Sequence, residues 1–203
     1  MEIAYADVDW LANGHSFSDL WCLTFVRGLS EIDVLRRMGA EERSIRPLTY
    51  EELIDEGLFP DTVLAGRLGD WIVVVEESGW DALDALEVLS VETEAVSVLR
   101  HDYASDCFGY AVDGELITSF NPMIPAWRSG SDPDRLVDVM RDVGFDPTYA
   151  PGDADEREAR AVKHPSVDGA LLLAARLTGV MLTQDVLNAP LVAGDPAVHR
   201  FQG

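Results

Sequence analysis

The sequence predicts an α+β domain: a roughly five-stranded, mostly antiparallel sheet over residues 62–120, packed by N- and C-terminal helices. Three observations predict it. The run Trp71-Ile72-Val73-Val74-Val75 is apolar at every position, as in a strand covered on both faces. Gly69-Asp70 and Asp113-Gly114 each separate two strand-like runs, and two-residue links of this kind close antiparallel hairpins. Outside this region, apolar residues recur at helical spacing between capping residues and glycine stops.

Within residues 5–27, Leu20, Trp21, Thr24 and Phe25 share one helical face, and Gly28 reads as the stop. Ser30 is the N-cap of a second helix, with Glu31 and Asp33 in its first turn and Val34, Leu35 and Met38 as its apolar stripe. Thr49-Tyr50-Glu51-Glu52 carries the spacing of a capping box. Thr62–Leu68 and Trp71–Glu77 form the first hairpin. Trp80–Leu89 places Leu83, Leu86 and Leu89 at helical spacing, and Ala95–Arg100 is a strand. Cys107–Val112 and Glu115–Phe120 form the second hairpin.

Pro, Gly and Ser mark Asn121–Ser131 as a loop. Asp132-Pro133 predicts a helix start, with Leu136, Val139, Met140 and Val143 facing the core and Gly144 as the stop. Pro147–Gly152 reads as a linker and Asp153–Lys163 as a solvated charged stretch. Ser166–Thr178 and Thr183–Asn188 predict two more helices. Residues 1–190 are expected to form one domain, and 191–203 a loose tail.

Charge is the unusual feature. The chain carries 37 acidic and 15 basic residues, a formal net of −22. The excess is spread along the chain, −14 over residues 1–100 and −8 over 101–203. Such a surface repels nucleic-acid phosphate and anionic lipid and favours a basic partner. It also serves solubility. No basic leader precedes an apolar run, and no run approaches 18 apolar residues, so a cytoplasmic protein without a membrane span is expected. Cys22 and Cys107 lack metal or redox spacing and read as free thiols in apolar surroundings.

Several segments together resemble one family. They are Trp21-Cys22-Leu23-Thr24-Phe25-Val26-Arg27-Gly28-Leu29-Ser30, Val34 through Ala40, Gly69 through Glu76 with Gly79-Trp80, Leu89-Ser90, Ala95 through Val98, Phe108, Asp113-Gly114, Ser119-Phe120, and Arg128 through Pro133. Their order over residues 5–190 resembles the DUF6461 family of actinobacteria, which carries no assigned function. The resemblance implies one domain in an intracellular bacterial setting and no particular activity.

Catalytic signatures are sparse. His101-Asp102 are adjacent on a strand and so point to opposite faces, which does not make a triad pair. His15 and His164 read as loop histidines. No zincin, EF-hand, P-loop or dinucleotide motif occurs, and Asp153-x-Asp155-Glu156 lacks the remaining calcium-loop ligands, so no cofactor or metal is expected. The best constellation for a ligand or partner is Glu76, Glu77, Trp80, Trp127 and Arg128: carboxylates at a strand end, a guanidinium, and two indoles. The same residues also fit an internal Glu76–Arg128 ion pair that pins the loop over the sheet. The leading expectation is an interaction domain, immunity-like or regulatory, that binds a basic protein. The alternatives are a small-ligand binder or enzyme using the region near Glu76, and a DNA mimic.

Overall fold

The computed structural model describes residues 3–12, 17–150 and 165–197. Helix α1 (Tyr5–Ala12) comes first. Strand β1 (Leu20–Arg27) follows, and it corrects the helix expected there. Residues 21–26 of β1 are all buried. A strand covered on both faces is apolar at consecutive positions and therefore satisfies a helical period as well. Its Trp, Phe, Thr and Val content favours the strand.

Helix α2 (Glu31–Arg37) starts where expected, with the Asp33 N–H donating to the Ser30 hydroxyl at 3.1 Å. A short strand β2 (Arg46–Leu48) precedes α3 (Tyr50–Asp55). The expected capping box opens α3: Glu52 N–H donates to Thr49 Oγ1 at 3.2 Å, and Thr49 N–H donates to the Glu52 carboxylate at 2.8 Å. Strands β3 (Val63–Leu68) and β4 (Trp71–Glu77) form the first hairpin. The helix expected over Trp80–Leu89 forms as two single-turn pieces, α4 (Asp81–Asp84) and α5 (Leu86–Leu89).

Strands β5 (Glu94–His101), β6 (Cys107–Val112) and β7 (Glu115–Phe120) follow. Asp113 and Gly114 have φ of 51° and 84°, the positive values at both centres that a type I′ turn requires. Helix α6 (Val137–Asp142) begins later than Asp132-Pro133 suggested. The Arg135 and Val137 N–H groups bond three residues back, to Asp132 and Asp134, so the first turns are tighter than an α-helix. Helices α7 (Val167–Thr178) and α8 (Gln184–Leu187) match expectation. Strand β8 (Leu191–Gly194) corrects the loose tail expected from residue 191. The charged stretch 153–163 lies outside the described residues.

The sheet therefore has eight strands, not about five, in the order β2-β8-β3-β4-β1-β5-β6-β7. Its neighbouring strands pair antiparallel. β1 and β4 sit in the middle, which is why both are buried throughout or nearly so. Alternate residues feed two cores. Trp21, Leu23, Phe25, Val73, Val75, Val98 and Phe108 face α1, α6 and α7. Val26, Ile72, Val74, Ala95 and Ala111 face α2, α4 and α5. Burying each such large side chain contributes about 1.5–3 kcal/mol.

Both sheet edges are blunted. β2 is three residues long and contains Pro47. Along β7, Ser119 and Ser129 exchange backbone hydrogen bonds of 2.8 and 2.9 Å, and Ser131 and Asp132 donate to Leu116 and Ile117. No helix among the described residues is long and apolar enough to cross a membrane.

Candidate functional site at one end of the sheet

The antiparallel order brings the C-terminal ends of β4, β5 and β7 to the same end of the sheet. All five residues singled out from the sequence stand in β4 or in the loops after β4 and β7, but their side chains have different fates.

Glu76 and Glu77 are consecutive on β4, so they point into opposite cores. Neither carboxylate reaches solvent, at 1% and 2% exposure. Glu77 accepts the Ser18 N–H and the Tyr50 hydroxyl, both at 2.7 Å, tying the start of β1 and helix α3 to the sheet. Burial and then the Glu77 hydrogen bond push the Tyr50 hydroxyl well above the usual phenol range. Phe17 fills the space beside them, 5.6 Å from Trp21 and 5.4 Å from Tyr50 between ring centroids.

Glu76 accepts the Ala82 N–H at 3.1 Å and so holds the first turn of α4. Burial, and then the neighbouring Asp81, push its carboxyl up to about 8. Burial thus favours its neutral form over the carboxylate. A polar thread continues from it through the core. Cys22 Sγ lies 3.2 Å from Ser97 Oγ, which lies 2.8 Å from Thr24 Oγ1. Burial, and then Glu76, hold the Cys22 thiol well above its ordinary value. Among the described residues no buried side-chain nitrogen or oxygen lacks a partner. The thread is thus a satisfied network that fixes the register of β4, β1 and β5 under α4.

Arg128 does not meet Glu76. Four strand spacings of about 4.8 Å separate β4 from β7, and Arg128 lies beyond β7 on the strap that pairs Ser129 with Ser119. Its guanidinium, 12% exposed, pairs with Asp134 at 2.6 Å and donates to the Pro125 and Pro147 carbonyls. The pinning role foreseen for Arg128 is present, but its partner is Asp134 and two carbonyls. Arg128→Ala is expected to lower the unfolding free energy by about 2 kcal/mol, mainly because two carbonyls lose their donor. Arg128→Lys should recover only part of this, since one ammonium cannot replace the planar fork. Urea unfolding of both variants checks it, and two variants as stable as the parent would remove the clamp.

Trp80 and Trp127 are exposed, at 38% and 67%. Sequence reasoning missed two further exposed side chains in the loops at this end. Tyr103, in the loop after β5, is 87% exposed, and Met123, in the loop after β7, is 50% exposed. Only composition signalled them, because nothing in a loop sequence distinguishes an aromatic folded inward from one left outside. His101, set aside as a triad member, packs against Trp80 with ring centroids 5.6 Å apart. Its Nδ1 accepts the Tyr103 N–H at 3.3 Å. Cys107 is a free thiol 3.5 Å from Ser119 Oγ, and burial pushes the thiol above its ordinary value.

Two surface depressions lie away from this end's carboxylates. One, of about 350 Å³, is lined by Arg128, Asp134, Arg135, Arg141 and Thr148. The other, of about 460 Å³, lies between α1 and residues 181–185 and includes Trp10 and Met181. Among the described residues no group of three or more His, Cys, Asp or Glu could hold a metal ion.

No curated protein and no solved structure matches the chain. A family model described as a family of unknown function, DUF6461, matches residues 1–191 of the 203. The β1 and β4 segments that build the centre of the sheet, and the strap that covers its β7 edge, all fall within that match, and the chain belongs to the DUF6461 family.

Proposed function

We propose that this chain is a protein-interaction domain that receives a basic partner at the end of the sheet where β4, β5 and β7 finish. One observation carries the reading: the loops that leave that end after β4, β5 and β7 carry four exposed large side chains, Trp80, Tyr103, Met123 and Trp127. Large apolar side chains gathered at one end mark interaction surfaces, and Trp and Tyr are the residues most often found as anchors there. The chemistry of the partner follows from charge. The net of −22 leaves the chain's field complementary to a basic surface. The two arginines at this end are engaged internally, Arg100 with Asp102 and the Ala12 carbonyl, Arg128 as described above. A basic toxin neutralised by this protein, or a basic regulatory protein, has the required properties.

Affinity capture at low and at high salt tests the reading, with a triple variant Trp80→Ala, Tyr103→Ala, Trp127→Ala beside the parent. The expected result is a basic protein retained by the parent at low salt, released by high salt, and lost from the triple variant. A protein retained equally by both baits would place the surface elsewhere, and a blank for both would overturn the reading.

A further inference from the structure

Trp80 differs from the other exposed aromatics at this end in being held. Its ring packs on the His101 imidazole with centroids 5.6 Å apart, and Asp84, one helical turn on in α4, is close enough that, while burial raises its carboxyl, the indole lowers it. His101 is held in turn through its ring and its backbone. Its Nδ1 accepts the Tyr103 N–H at 3.3 Å, and its backbone N–H donates to Asp106 Oδ1 at 2.9 Å. The indole is therefore pre-positioned and partly open to solvent. A ring locked in this way loses little side-chain freedom when something binds, which is what makes an anchor effective.

The groups around it select the ligand. Asp84 is an exposed carboxylate one helical turn from Trp80, and Asp106 accepts the His101 backbone N–H. An aromatic face carries partial negative charge, and a carboxylate beside it adds a full one. A guanidinium satisfies both at once: it stacks flat on the indole while its N–H groups reach the carboxylate. An ammonium is a point charge and satisfies them less well.

We propose that Trp80, backed by His101 and flanked by Asp84, is the anchor that receives an arginine side chain of the basic partner. The inference rests on the reading that the partner is basic and docks at this end of the sheet, and it adds the residue and the group recognised.

The test uses the full chain and a hexa-arginine peptide at moderate salt, followed by the indole N–H resonances of the five Trp in a ¹H–¹⁵N spectrum. Trp80→Phe identifies the Trp80 resonance. The expected result is a shift of that resonance on titration and about tenfold weaker binding by Trp80→Ala. Trp127→Ala should change the affinity less than about twofold. Asp84→Asn, at an exposed position where folding is not at risk, should weaken binding about threefold. Peptide bound equally by the parent and Trp80→Ala would overturn the anchor and leave the basic-partner reading standing. Hexalysine bound as tightly as hexa-arginine would overturn the guanidinium assignment. No binding of either peptide to the parent would overturn both the anchor and the reading it rests on.

Discussion

Glu76→Gln is expected to stabilise the protein at pH 8 relative to its effect at pH 4.5, by about 4 kcal/mol between the two conditions. The argument starts from where the carboxyl sits. It is fully buried, and its folded pKa is raised from 4.5 to about 8, first by burial and then by Asp81. A raised folded pKa means that the native state keeps a proton which the unfolded chain has released. The group's favourable contribution is therefore fully present below about pH 4.5 and lost by about pH 8, at about 1.4 kcal/mol per unit of pH in between. Glutamine carries no ionisable group and does not follow this slope. Its amide oxygen can accept the Ala82 N–H that Glu76 accepts at 3.1 Å. Any mismatch of its NH₂ beside Cys22 shifts the stability by the same amount at both pH values, so the difference between them isolates the titration. Urea unfolding of parent and variant at pH 4.5, 6 and 8 measures it. A gap between the two proteins that does not change with pH would mean that Glu76 is ionised in the native state. Glu76→Ala should show the same change with pH but be less stable than Glu76→Gln at every pH, because it leaves a cavity and an unpaired Ala82 N–H in the core under α4.

Gly130→Ala is the second large effect. Gly130 has φ +120°, and a Cβ there would sit 2.2 Å from the Ile117 carbonyl oxygen and 2.6 Å from its carbon. Both obstacles are backbone of β7, which cannot move without breaking the sheet. The loss is expected to be about 3 kcal/mol or more, because backbone strain and a backbone clash act together. Gly28→Ala is the control. Gly28 also has positive φ, +70°, but a Cβ there meets nothing within 4 Å, so its cost should be only the conformational one, about 1 kcal/mol. Urea unfolding compares the two. The consequence for function is local. Ser129, Ser131 and Asp132 lie along β7 through backbone hydrogen bonds, and the segment they strap down carries Trp127. Amide exchange in Gly130→Ala should rise along Leu116–Ser119 before it rises in β1. Equal stability of Gly130→Ala and Gly28→Ala would mean that the strap yields freely.

Much of the local structure was legible in the residues because its causes are local. The Ser30 cap, the Thr49–Glu52 capping box and the Asp113-Gly114 turn each depend on a few consecutive side chains and their φ preferences. The all-apolar run of β4 could be read as a doubly covered strand. The same logic failed for β1, where an equally apolar run also fitted a helix, and only its pairing with both β4 and β5 separates the two. β2 and β8 are three and four residues long, too short to show a period, and exist because each completes the other's hydrogen bonds at the sheet's edge.

The candidate site divides along the same line. Residue type singled out Trp80 and Trp127, which the fold leaves exposed, and gave the net charge of −22. Burial decided the rest, and burial is a property of the assembled sheet. Glu76 and Glu77 look alike in sequence, yet the pleat sends one to a buried position beneath α4 and the other to Tyr50. Arg128 found Asp134 and two carbonyls nearby, while the sheet's width kept it from Glu76. Sequence by itself determined the caps, turns, charge and most helices, because these follow from chemistry within a few residues. Tertiary structure alone decided the centre of the sheet, its edges, and which polar side chains remain outside, because strand pairing and burial join residues far apart in the chain.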